Sequence, residues 1–541
     1  MTSKTIQNPS RRDFLKTVGV ASTVTAAACS VDPISWDPLV PQELAYPYVI
    51  QPEAVVPGVA SRYSTRCNQC SNSCGVVAKV REGRVINLEG NDHDPFNMGK
   101  LCGVGQSALL ENYSPDRIKK PQKAGVDTKI TDVVKEVAAL IKGGAKPVWI
   151  GRNRSGASAA IVDQFVSAYG GSRIFWEPLG SESQRYAVDQ AFGGNYNTIP
   201  TYNMENAETI ISFGAEYLGD WGHNVKNHMG WADSRDSERK NGAVVPRSAD
   251  NVSQTISVGP RIGLTETSSD IHLFCNPGTE ALVAFALAKK LAEKISYKSN
   301  AAASAMLSSI DAEANMKEAN VNVDAFNKAV ARLAATKTKF VALPGGVVAS
   351  MNESTVAIGA LLLNEVGGSF DGAHPTVQLG KEDVSSMGTA KEIFDVLSKA
   401  DSKTVLFVDN TDLVFQLGKT LDVAGSLAKF GAVVHFLNES NDSVAKTSNC
   451  YVIPKGTSLE TWGDAEVFIG NHILQQPAMR SLADFDIISA EDVLLGIAQT
   501  NGTLAITPTP VLEEGEEQGA KEKEAATEEE TEVIPLPVAS P

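Results

Sequence analysis

Four of the seven cysteines fall within 36 consecutive positions, and their spacing constrains this chain more than any other feature. Cys67-Asn-Gln-Cys70-Ser-Asn-Ser-Cys74 is followed by 27 residues and then Cys102, a C-x2-C-x3-C-x27-C pattern. Three thiolates so close in sequence meet only if the backbone curls around a shared centre. Four thiolates with iron build a cubane cluster. Four-cysteine zinc sites are the competing chemistry, but zinc ribbons pair two C-x2-C knuckles, and here the second half supplies a single Cys. Paired disulfides are the third option in an oxidising compartment. The pattern favours the cluster and leaves the other two open.

Between these cysteines the chain reads as a small β unit. Val76-Val77-Ala78-Lys79-Val80 alternates, Glu82-Gly83 turns, and Arg84-Val85-Ile86-Asn87-Leu88 returns as a hairpin. Asn91-Asp92-His93-Asp94-Pro95 is a loop leading to Gly99-Lys100-Leu101-Cys102. A short helix starts at Gly105-Gln106-Ser107-Ala108-Leu109-Leu110, and Ser114 to Pro121 closes the unit. On the cysteine spacing, the Glu82-Gly83-Arg84 hairpin and Gly99-Lys100-Leu101-Cys102, residues 61–121 resemble the iron–sulfur domain of the molybdopterin (bis-guanine-dinucleotide) oxidoreductases. That superfamily includes formate dehydrogenases, nitrate reductases and polysulfide reductases. The resemblance implies that Cys67, Cys70, Cys74 and Cys102 ligate one [4Fe-4S] cluster. Lys100, beside Cys102, is either a charge that tunes such a cluster or an ordinary surface lysine.

Residues 122–500 alternate apolar strands with helical patterns, as a parallel α/β sheet does. Strands are expected at Pro147–Ile150, Thr209–Phe213, Phe340–Leu343 and Val405–Val408, and a helix from Glu280. Several strands end in Gly (Gly151, Gly214, Gly345-Gly346), where backbone N–H groups can approach a phosphate. Val258-Gly259-Pro260-Arg261, Ser269-Asp270 and Asn276-Pro277-Gly278-Thr279-Glu280-Ala281 resemble the superfamily's guanine-dinucleotide segment. The expected fold is α/β: a small β-rich [4Fe-4S] domain, then doubly wound parallel domains of the molybdopterin oxidoreductase type, with the C-terminal pterin-binding domain reduced or missing.

Ala207 to Leu218, Leu459-Glu460-Thr461-Trp462-Gly463-Asp464-Ala465-Glu466 and Leu474-Gln475-Gln476-Pro477 narrow the resemblance. They look like the molybdopterin-enzyme-like iron–sulfur subunit of alternative complex III and of menaquinone reductase complexes, which is described as carrying no molybdenum. Three departures from the enzyme pattern agree. Val104 stands where active relatives carry a basic residue. The stretch Glu177 to Arg185, matching the loop that often ligates the metal, has no Cys, leaving Ser181 or Ser183 as candidate ligands. The ordered pattern stops near Thr500. The resemblance thus implies an electron-transfer subunit of a quinol/cytochrome c type respiratory complex. Molybdopterin guanine dinucleotide is not favoured, and no catalytic residue is assigned. Expected partners are a ferredoxin-like iron–sulfur subunit, a polysulfide-reductase-type membrane quinone subunit and a multihaem cytochrome c. The alternatives are a catalytic molybdenum or tungsten oxidoreductase acting on a small substrate, and a structural subunit whose cluster only stabilises the fold.

The termini carry their own signals. Ser10-Arg11-Arg12-Asp13-Phe14-Leu15-Lys16, followed by the apolar run Val18 to Ala28, resembles a twin-arginine export signal over residues 1–29. It implies delivery to the periplasm or the outer face of the cytoplasmic membrane, and Cys29 is a candidate for acylation. Residues 30–60 read as a Pro-rich linker. Residues 501–541 read as a disordered acidic tail: Glu513 to Glu532 holds ten Glu and two Lys, half of the net charge of -16. That net charge argues against a nucleic-acid partner, and no apolar run reaches membrane-spanning length. Cys275 and Cys450 sit in or beside apolar strands and read as core residues.

Overall fold

The computed structural model describes residues 56–503 apart from 57, 178–181, 193–197, 237–238, 241–242, 245–251, 299, 346–352, 382–383, 385, 419–421, 448 and 483–484. The export signal, Cys29, nearly all of the linker, the acidic tail beyond residue 503 and Ser181 lie outside these residues.

Three antiparallel strands open the described chain: β1 (Ser61–Arg66), β2 (Gly75–Arg81) and β3 (Arg84–Gly90), with β2 in the centre. The β2–β3 hairpin turns on Glu82 (φ 52°) and Gly83 (φ 78°). A two-residue turn with positive φ at both positions matches the right-handed twist of the strands it joins. Ala78, Val80, Val85 and Leu88 bury their side chains against Leu459, Ala478 and Met479 from the far end of the chain. Helix α1 (Gly103–Asn112) follows. This small sheet is therefore completed by residues almost four hundred positions away.

The larger sheet runs in spatial order Val126–Asp127, Gln122–Lys123, Cys450–Pro454, Ala432–Leu437, Thr404–Asp409, Lys146–Gly151, Ser172–Phe175. The last five of these strands are parallel, and the two short ones form an antiparallel edge. Its central strands read as largely apolar runs because both faces are covered. Val405, Phe407 and Trp149 point into one core with helices Ile130–Lys142, Gly156–Ala168 and Ala490–Asn501. Leu406, Val408, Val148 and Ile150 point into the other with Ile393, Leu397 and Leu427. In Ile130–Lys142 the buried positions Val133, Val137 and Ile141 recur every four residues, which gives the helix one apolar stripe.

A second, wholly parallel sheet lies between the two halves of the first in sequence. Its order is Ile271–Phe274, Gln254–Gly259, Thr209–Phe213, Phe340–Leu343. Helices Glu280–Ile295 and Glu353–Gly367 cover one face through Val283, Leu287, Leu291, Ala360 and Leu363. Tyr202, Met204 and Tyr217 cover the other. Each large apolar side chain so buried contributes roughly 1.5–3 kcal/mol. Among the described residues no helix is long and apolar enough to cross a membrane.

One buried group makes this fold sensitive to acid. His435, on Ala432–Leu437, is fully buried, and neither ring nitrogen has a hydrogen-bond partner among the described residues. Burial pushes its pKa down to about 4, against an opposing pull from Asp412. The unfolded chain, with an imidazole pKa of about 6.5, binds more protons between those values. Stability is therefore complete above pH 6.5 and falls by about 2–3 kcal/mol as pH drops toward 4. Urea denaturation at pH 7 and pH 4.5 should show this loss, and His435→Leu should reduce it.

Candidate iron–sulfur centre and adjoining cleft

The loop between β1 and β2 brings the first three cysteines together. Cys67 follows β1 directly, and its N–H donates to the Cys74 carbonyl at 2.8 Å, closing the loop into a ring. The Ser73 N–H donates to the Cys70 carbonyl at 3.4 Å, with Ser73 at φ 46°. Cys102 arrives from the other side as the N-cap of α1, its Sγ accepting from the Gly105 N–H at 3.4 Å.

The segment leading to Cys102 is held by Asp94 and Asn97. The Asp94 carboxylate accepts from the Gly75 N–H at 2.6 Å and the Phe96 N–H at 2.7 Å. The Asn97 amide donates to the Gly75 carbonyl at 2.9 Å and the Lys100 carbonyl at 2.6 Å. Gly90 must lack a side chain, because a Cβ there would sit 2.4 Å from the Gly99 carbonyl. Lys100 itself is exposed.

Cys67 and Cys74 are buried, packed with Val76 and Phe96 against Val225 and Val467 of the body. Phe96 meets the His223 and Phe468 rings edge-on, each at 5.3 Å. Asn72 hydrogen-bonds His223 Nδ1 at 2.7 Å. Burial pushes the Cys67 thiol up to about 12, and the neighbouring Cys70 and Cys102 add to it. Burial and the other three cysteines raise Cys74 further, and burial raises Cys70. Cys67, Cys74 and the partly buried Cys102 share one apolar cluster, and Cys67 and Cys74, once ionised there, need a compensating cation. All six described cysteines are free, so none is in a disulfide.

Among the described residues no three His, Cys, Asp or Glu side chains stand close enough to hold a single metal ion. An all-thiolate donor set of four cysteines is chemically suited to an iron–sulfur cluster.

Cys70 also lines a cleft of about 1000 Å³, part of it open to solvent. The cleft lies at the carboxyl ends of the larger sheet's strands, where ligands of parallel α/β folds bind. Arg152 and Arg154 follow Lys146–Gly151, Asp409 ends its strand, and Lys455 follows Cys450–Pro454. These side chains pair with one another. Arg154 bonds Asp409 at 2.6 Å and also pairs with Glu491, and Lys455 bonds Asp409 at 2.9 Å. Despite the upward push of burial, Arg154 and Lys455 hold Asp409 down to about 2. Asp464 accepts the Ala157 N–H at 2.8 Å and so caps helix Gly156–Ala168 from across the cleft. Trp462 stands at the rim, 67% exposed.

Other residues singled out in the sequence lie elsewhere. Ser183 is buried and donates to Glu353 Oε1 at 2.9 Å, and it does not line the cleft. Arg185 is spent on the Met387 carbonyl at 2.7 Å and the Gly388 carbonyl at 3.2 Å. Val104 is 59% exposed on the first turn of α1. Arg261 pairs with Glu216 at 3.3 Å at the carboxyl end of the smaller sheet, and neither lines the cleft. Cys275 and Cys450 are buried core residues. Missed were Arg66, Arg152, Arg154, Asp409 and Lys455. Their signal was position, since four of them stand at or just past the ends of apolar strands.

Residues 60–114 match the molybdopterin oxidoreductase Fe4S4 domain. Over 81% of this chain and 69% of the other, the fold superposes on acetylene hydratase from Pelobacter acetylenicus with a TM-score of 0.63 at 11% identity, a likeness of fold. Residues 60–114 thus carry a molybdopterin oxidoreductase Fe4S4 domain, and the likeness of the chain as a whole to acetylene hydratase is one of fold. Among curated proteins the chain is similar to the "menaquinone reductase, molybdopterin-binding-like subunit" of Nitratidesulfovibrio vulgaris (strain Hildenborough). That match is 26% identical over 289 residues, 52% of this chain and 39% of the relative. The nitrate reductase of Symbiobacterium thermophilum is 31% identical over 112 residues, 20% of this chain and 13% of that one. The chain thus matches about two fifths or less of these curated relatives.

Proposed function

We propose that this chain is an exported electron-transfer subunit of a membrane-associated respiratory complex of the quinol/cytochrome c type. In this reading Cys67, Cys70, Cys74 and Cys102 hold the [4Fe-4S] cluster, which supplies one-electron redox chemistry. The protein excludes water from Cys67 and Cys74 through Phe96, Val225 and Val467, while Cys70 faces the cleft. The observation that carries the reading is the grouping of Cys67, Cys74 and Cys102 around Val76 and Phe96, with Cys70 on the adjoining cleft, in which Arg154 and Lys455 are already neutralised by Asp409 and Glu491. Those two cations are not available to a pyrophosphate. The likeness to a menaquinone reductase subunit supports the same assignment. The partners are a ferredoxin-like iron–sulfur subunit, a polysulfide-reductase-type membrane quinone subunit and a multihaem cytochrome c. Export by the twin-arginine route suits a chain that receives its cluster before crossing the membrane.

Metal analysis of anaerobically purified protein tests this. About four irons per chain, with molybdenum and tungsten near zero and no guanine released by acid, is the expected result. About one molybdenum or tungsten per chain, with guanine, overturns it in favour of a catalytic oxidoreductase. A cluster that stays in one oxidation state through a redox titration overturns it in favour of a structural subunit.

A further inference from the structure

Two guanidinium groups flank the thiol ring, and both differ from the other cations of the cleft. Arg66 ends β1 next to Cys67 and donates Nη1 to Ser73 Oγ at 3.0 Å. Arg152 comes from the body, just past Lys146–Gly151, and donates Nη1 to the Gln69 carbonyl at 2.6 Å, gripping the loop one residue before Cys70. Each keeps a buried Nε–H with no hydrogen-bond partner among the described residues. Neither forms an ion pair among those residues, whereas Arg154 and Lys455 both do. Arg66, Arg152, Cys70 and Glu177 all line the same cleft.

A half-buried guanidinium with a buried, unbonded Nε–H and no directly paired carboxylate is only partly compensated. An anionic group beside it removes the penalty. A [4Fe-4S] core held by four thiolates has a net charge of about −2, and taking up one electron makes it about −3. A fixed positive charge nearby stabilises the reduced form more than the oxidised form. A fixed negative charge does the opposite.

Resting on the cluster assignment above, we propose that Arg152, assisted by Arg66, raises the reduction potential of the iron–sulfur cluster, and that Glu177 lowers it. Arg152 is then a tuning residue supplied by the α/β body to a cofactor held by the small domain. The charge balance between Arg152 and Glu177 sets how readily the cluster accepts one electron, from a reduced partner centre in the complex or from dithionite in a titration.

The test is a potentiometric titration of the full chain with dithionite and mediator dyes, read by low-temperature electron paramagnetic resonance of the reduced cluster. Arg152→Gln is expected to weaken reduction about tenfold, a fall of about 59 mV for one electron. Arg152→Lys keeps the charge and should stay near wild type, and Glu177→Gln should shift the potential upward. Unchanged potentials in Arg152→Gln and Glu177→Gln, each with intact cluster signal and iron content, overturn the proposal while leaving the cluster assignment standing. Shifts of the same sign in both overturn it too, because a general loosening of the site has no charge sense. If Arg152→Gln loses its cluster, an unshifted Glu177→Gln overturns the proposal and an upward shift sustains it. Wild-type protein without iron removes the cluster assignment itself.

Discussion

Cys74→Ala is expected to yield protein with almost no iron, against about four irons per chain for the unaltered protein. Cys74 is enclosed by the loop between β1 and β2, among Cys67, Val76 and Phe96, and its carbonyl accepts from the Cys67 N–H. Without its sulfur one corner of the proposed cluster is unligated. Because ligand binding stabilises only the folded ring, the small domain should also become more protease-sensitive. Cys275→Ala is the matched control: it also removes a buried thiol, but in the core of the smaller sheet, and should leave iron content unchanged. Equal iron in both variants would remove Cys74 from the ligand set.

The second large effect concerns the attachment of the small domain to the body. Arg117, just after α1, and Glu460 form a doubly bonded pair at 2.5 and 3.0 Å whose side chains are completely buried. Arg117 also lies over the Phe485 ring at 4.9 Å. Glu460→Leu leaves a buried guanidinium unpaired and should cost about 3–5 kcal/mol, read as a lower midpoint in chemical denaturation. The double substitution Arg117→Met with Glu460→Leu should lose much less, because both charges leave together. An equal loss in the single and double variants would mean that packing, rather than charge burial, dominates there.

The larger elements were legible because their signals are local. Thr209–Phe213, Phe340–Leu343 and the strand around Val405–Val408 are continuous apolar runs, as strands covered on both faces must be. The hairpin turn at Glu82-Gly83 was equally plain, since few residue pairs accept positive φ at both positions. Sheet order was not legible. Nothing near Thr404–Asp409 indicates that its neighbour is Lys146–Gly151, more than 250 residues earlier, with a second sheet inserted between. Strand partners are chosen by how helices cover the two faces, which is a property of the whole chain.

The site divides in the same way. Cys67, Cys70, Cys74 and Cys102 could be picked out from their spacing, because a short loop with three thiols has few ways to arrange them. Their environment could not. Arg152, Asp409 and Lys455 are ordinary charged residues in sequence, and only the parallel alignment of three strands brings their ends to one cleft beside Cys70. The sequence by itself determined which side chains are available for the proposed cluster, because residue identity and spacing are covalent facts. Only the tertiary structure decided which charges face that chemistry and which are neutralised by a neighbour, because electrostatics depends on distance and burial, and both arise only when the chain closes on itself.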